Sequence, residues 1–201
     1  MTTPRDLLIV AMDVPGDRPV EQGDLSLTLA GAELADLLAA EAVTLDGDRI
    51  VPRLLPATGD RLLDEAGAAL VREAPYESVE DWLWRRGRGL AAAYRAELGR
   101  EERAAGQHHR RLSRPAGRAA PADSPARRAA ADRWAFHEPV LAHLAAAVGI
   151  RSEPVQEIPD PGDDAVVTVL AAVHGAVTEL EAVRQRRRIE DAAFDNVWRY
   201  P

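Results

Sequence analysis

Cysteine is absent from the 201-residue chain, which excludes a disulfide framework, a thiolate metal site and a cysteine nucleophile. Lysine is absent too, and all 25 basic residues are Arg. Arg, Ala, Gly and Pro share GC-rich codons, so this bias points to a GC-rich, bacterial source. Aromatic residues make up only 4%, which leaves Leu, Val and Ala to build the core and favours closely packed helices over a sheet sandwich. A secretory leader is not expected, because Leu7 to Met12 gives six apolar residues before Asp13. No continuous run approaches the roughly 20 apolar residues that span a bilayer. The expectation is a cytoplasmic protein whose contact with a membrane is peripheral, on the inner face.

Hydrophobic residues make up 46% and charged residues 29%, an ordinary balance for a folded chain long enough to bury a core. The net charge of −8 is unevenly spread. Residues 85–134 carry 13 Arg against five acids, a local +8, which leaves −16 for the rest. That asymmetry suggests a basic face or arm on an acidic body.

Thr3-Pro4-Arg5-Asp6 reads as a helix start, and the short apolar element Leu7 to Met12 fits helix or strand. A loop over 13–24 precedes a helix over 25–41, where Leu27, Ala30, Leu34, Leu37 and Leu38 recur at helical spacing. Val43 to Val51 reads as a hairpin, with Asp46-Gly47 at the turn. Asp60 caps a helix over 61–73, stopped by Pro75. Ser78-Val79-Glu80-Asp81 resembles a capping box and opens a helix carrying Trp82, Leu83 and Trp84. A further helix runs from Leu90 to about Ala105. Residues 106–125, rich in Arg, Pro, Ala and Ser, hold almost no large apolar residue and read as a mobile arm. Helices resume over 126–136, 140–148 and 164–188. In the last, Val166, Leu170, Val173, Val177 and Leu180 follow a 4-3 spacing that fits a core-facing stripe or a dimer seam. The fold class is mostly α: a single compact helical domain over 1–201 with a small β-hairpin near residues 43–52.

Catalytic signatures are missing: neither a phosphate-binding glycine loop nor a nucleophile elbow is present. His137-Glu138 and His143 lack the spacing that sets two metal ligands on one helical turn, and Pro139 intervenes. The acidic pairs Asp64-Glu65, Glu80-Asp81 and Asp163-Asp164 are accounted for as caps and helix-dipole partners. Arg184 to Arg188 (RQRRR) fits the carbonyl end of a helix or an anionic partner. Nucleic acid is the weaker partner for a −8 chain without interleaved aromatics. No enzyme activity, metal or cofactor is expected.

The stretch TGDRLLDEA at 58–66, a helix, a Pro-containing break and SVEDWL at 78–83 resemble the signature of the Golgi phosphoprotein 3 family. The preceding order of LLIVAM, LAGAELADLL and a hairpin is similar as well. The resemblance is clear over residues 5–105 and weaker beyond, where AVVTVLAAV aligns with the family's apolar C-terminal region. It implies a compact helical fold, no enzymatic activity and peripheral attachment through phosphatidylinositol 4-phosphate. The family's lipid pocket uses a Trp and an Arg that fall here on Glu21 and Ala30, and two Arg that fall on Ala92 and Arg95. The family's later hairpin is replaced by the arm at 106–125. Arg95, Arg88 and Arg100 are therefore the expected headgroup-binding residues, with anionic phospholipid as partner, supported by Arg85, Arg86 and the arm. The alternative is a soluble protein–protein interaction module that kept the fold and lost the lipid site. Monomer and homodimer both fit Ala-rich helices.

Overall fold

The computed structural model describes residues 2–14, 16, 19–54, 58–112, 124–151 and 158–198, with the main chain alone at 105–112 and 192–198. Eight helices and one hairpin are found among them: α1 (Thr3–Asp13), α2 (Gln22–Ala39), β1 (Val43–Asp46), β2 (Arg49–Pro52), α3 (Arg61–Ala68), α4 (Val79–Arg86), α5 (Leu90–Leu112), α6 (Pro125–Ala135), α7 (Pro139–Ala147) and α8 (Asp164–Trp198).

Helix α2 is the axis of the molecule. Its side chains from Leu25 to Ala35 are buried on every side, the pattern of a helix enclosed by others. The polar residues in that run are satisfied internally. Ser26 Oγ donates to Gln22 O and Thr28 Oγ1 to Asp24 O, both at 2.8 Å. Helices α1, α4, α5, α7 and α8 pack around it. The core is aliphatic apart from Trp82 and Tyr94, as the scarcity of aromatics implies.

The segment Leu7 to Met12, open between helix and strand by sequence, lies within α1. Its cap comes from elsewhere in the chain: Thr3 N–H donates to Asp36 Oδ2 at 2.7 Å, a tertiary partner that local pattern does not reveal. The hairpin pairs Val43 with Pro52 and Asp46 with Arg49, and Gly47 takes φ +61° at its turn. Helix α3 ends at Ala68, where the sequence suggested 73; its last turn tightens, with Ala69 N–H shared between Glu65 O and Ala66 O. Helix α5 reaches Leu112, so residues 106–112 of the expected arm are helical, and 113–123 lie outside the described residues.

The stripe on α8 faces inward. Val166, Val173 and Val177 are buried, with Leu170 and Leu180 half-buried, and Val169 and Ala176 complete that side. It is core, not a seam. By length and composition Asp164–Asp191 is apolar enough to cross a membrane, although its inner side packs on α2, α4 and α7.

Candidate functional site

The segment from α3 to α4 is built around two local caps. Asp60 Oδ1 accepts from Leu62 and Leu63 N–H at 3.0 and 3.1 Å. Ser78 Oγ accepts from Asp81 N–H at 3.0 Å and donates to Asp81 Oδ2 at 2.7 Å, the reciprocal arrangement of a capping box. The first fixes the start of α3 and the second the start of α4, which places Trp82 in the core at 0% exposure. The Trp82 indole N–H donates to Ala30 O at 3.1 Å.

The two Arg at the end of α4 are both held by carboxylates of the protein itself, Arg85 at the surface and Arg86 half-buried. Arg85 forks onto Glu77 at 2.6 and 2.7 Å, donates to Ala69 O at 3.1 Å, and lies 5.3 Å over the Trp82 ring. Arg86 forks onto Glu33 at 2.7 and 2.8 Å and reaches Leu62 O at 3.0 Å. Tyr94 O–H donates to the same carboxylate at 3.0 Å. Glu33 is fully buried; burial pushes its carboxyl up from the ordinary range, against the pull of Arg86. Burial and the Glu33 charge push the Tyr94 hydroxyl up as well, so it stays protonated and serves as a donor. A buried charge kept this way needs every lone pair partnered. Sequence reasoning passed over this trio. Its signal was Glu33, which with Asp36 is one of two acids in the otherwise apolar LAGAELADLL.

Gly87, Arg88 and Gly89 turn the chain into α5. A Cβ on Gly87 would lie 2.6 Å from Leu83 O and 3.3 Å from Ser26 O, so only glycine lets this turn press onto α2. Gly89 takes φ +73°. Ala91 N–H then donates to Ser26 Oγ at 3.1 Å, which fixes the start of α5 against α2. Arg88 and Arg95 are both exposed on this stretch, and neither forms an ion pair with any described residue.

Arg100 does not join them. Five residues along a helix is a rotation of about 140°, which turns it away from Arg95. There its guanidinium meets Glu97, shared with Arg61 of α3. The other positions singled out by resemblance are uncharged or acidic: Glu21 is exposed at the cap of α2, Ala30 is buried and Ala92 is exposed. Further Arg are consumed between helices. Arg127 bridges Asp13 and Glu102, and Arg133 bridges Asp6 at 2.6 Å and Glu138 at 2.9 Å.

The two histidine positions are tied to the backbone. His137 Nδ1 lies 3.0 Å from Ala135 O, and His143 Nε2 lies 3.2 Å from Pro159 O. Glu138 between them caps α7 through Leu141 N–H at 2.8 Å. No cluster of three His, Asp or Glu suited to a metal occurs among the described residues. A cleft opens between Glu21 and Asp24 of the α2 start, the α7–loop junction at Gly149, and Arg184 and Arg188 of α8. It carries both signs of charge, and Arg184 is forked onto Asp24 at 2.9 and 2.5 Å.

Comparison with curated proteins gives no match, and comparison with solved structures gives none. A family model, Golgi phosphoprotein 3 (GPP34), matches residues 4–198. With the TGDRLLDEA segment building the α3 cap and DWL seating Trp82 in the core, and with the match spanning nearly the whole chain, the protein belongs to the Golgi phosphoprotein 3 family.

Proposed function

We propose that this chain is a non-catalytic peripheral adaptor that binds anionic phospholipid headgroups, by family resemblance phosphatidylinositol 4-phosphate. The observation that carries this reading is the pair Arg88 and Arg95. Both are exposed beside the fixed start of α5 and lack an internal counter-ion among the described residues, while neighbouring Arg85, Arg86 and Arg100 are neutralised. A guanidinium forks readily onto phosphate oxygens. Near an anionic surface each one contributes on the order of 1 kcal/mol. Membrane contact in this reading is on the inner face of a cytoplasmic membrane.

A second reading, a soluble interaction module that kept the fold and lost the lipid pocket, is favoured by Glu21, Ala30 and Ala92 at three of the four pocket positions. Vesicle sedimentation separates the two. The lipid reading expects pelleting with vesicles containing phosphatidylserine or phosphatidylinositol 4-phosphate and none with phosphatidylcholine alone. Equal pelleting with all of them, or with none, overturns it in favour of the module.

A further inference from the structure

The outer side of α8 carries an organised surface that the lipid reading leaves unused. Asp164, Thr168, Ala171, Gly175, Thr178, Ala182 and Arg186 fall on it, at steps of three or four residues. All are exposed except half-buried Thr168, and Val167 beside them is 45% exposed. Only 28% of the most apolar window of this helix is buried, with mean hydropathy 1.6. The two hydroxyls on this side do not look for water: Thr168 Oγ1 donates to Asp164 O at 2.9 Å and Thr178 Oγ1 to His174 O at 2.8 Å. The surface thus carries small side chains in the middle, flanked by exposed Glu179, and is acidic at its start and basic at its end.

We infer that α8 docks against α8 of a second copy of this chain, antiparallel, about a twofold axis at Gly175. The charges select that partner and that direction. Asp164 and Arg186 each lie eleven residues from Gly175, about three turns and 16 Å in opposite directions on the same side. A twofold axis there sets Asp164 of each copy beside Arg186 of the other, so both ends are neutralised at once. Neither side chain has an ion-pair partner among the described residues. A parallel arrangement would instead bring Arg186 to Arg186. Gly175 answers the remaining question of approach. A Cβ built there meets nothing within 4 Å, so the monomer has no packing need for glycine at this exposed helical position, where it costs about 1 kcal/mol relative to Ala. A second backbone crossing at about 8 Å does need it. This contact does not involve Arg88 or Arg95, so it stands or falls apart from the lipid reading.

Sedimentation velocity of the full chain from about 1 to about 100 μM tests the inference. A concentration-dependent dimer is expected, weakened by salt. Gly175→Arg should give a monomer over that range while the melting temperature holds, because the new side chain enters open space. Asp164→Arg and Arg186→Asp should each weaken association about tenfold or more, and the two together should restore it. A wild-type monomer throughout, dimers indifferent to Gly175→Arg, or a double reversal that fails to rescue would each overturn it. Association only when vesicles are present, with none in solution, would overturn it too.

Discussion

The charges that matter most for stability are not those that composition advertises. Glu33 is a single carboxylate inside α2, and it survives there because Arg86 and Tyr94 occupy its oxygens. Glu33→Ala is expected to lose about 3–5 kcal/mol, since it strands a largely buried guanidinium. Replacing both partners by apolar residues (Glu33→Leu with Arg86→Met) should recover most of that loss in urea unfolding. A double variant as unstable as the sum of the singles would count against this account. Two further carboxylates lie near Arg133: Asp6, fully buried and paired with it, and half-buried Asp36, which accepts from Thr3 N–H. Burial raises both carboxyls from the ordinary 3.8. A raised carboxyl binds its proton more readily in the folded state, so its burden on stability is present at neutral pH. That burden is relieved as pH falls through the folded pKa. Asp36→Asn keeps an acceptor for Thr3 N–H and removes the charge. Its melting temperature relative to wild type should therefore be most favourable near pH 7 and should decline as the solution is acidified. A difference that stays flat across that range would refute the assignment.

At the level of helices, glycine sets how closely α2 and α8 approach. A Cβ on Gly31 would fall 2.2 Å from Val173 Cγ2, which no side-chain shift of a few tenths of an ångström relieves. Gly31→Ala should cost about 1–3 kcal/mol by overpacking, despite its better helix propensity. Adding Val173→Ala should make the pair less damaging than the sum, with a coupling of about 1–2 kcal/mol in denaturant melts; strict additivity would show that the crossing is not the cause. This crossing explains what could be read from the sequence and what could not. Caps at Asp60 and Ser78 were legible because donor and acceptor lie within three residues. The inward stripe of α8 was legible because burial leaves a 3.6-residue signature. Asp36 capping α1 and Glu33 holding Arg86 were not, because they join residues 33 and 53 apart in sequence. For the same reason Arg88, Arg95 and Arg100 looked equivalent as a series of basic residues. Only the fold shows that Arg100 is turned toward Glu97 and Arg61.

Across the whole molecule, net charge opposes the proposed partner: a −8 chain is repelled by an anionic surface unless it presents its basic side. Attraction must then come from a few uncompensated guanidiniums. Arg88→Ala together with Arg95→Ala removes two contributions of on the order of 1 kcal/mol each, so vesicle affinity should fall roughly thirtyfold. Arg100→Ala is the control, because its charge is already matched by Glu97. It has the same formal effect on net charge as either single variant and should leave binding within about twofold. Raising salt should weaken wild type more than the double variant, since screening acts on the contacts that the double variant has lost. The decisive comparison is between the two classes of variant in the same sedimentation assay. If Arg100→Ala loses as much binding as Arg88→Ala or Arg95→Ala, attraction follows net charge alone and the α5 surface has no special part in it. If only Arg88 and Arg95 matter, orientation of a largely acidic body by two exposed guanidiniums is the mechanism of attachment.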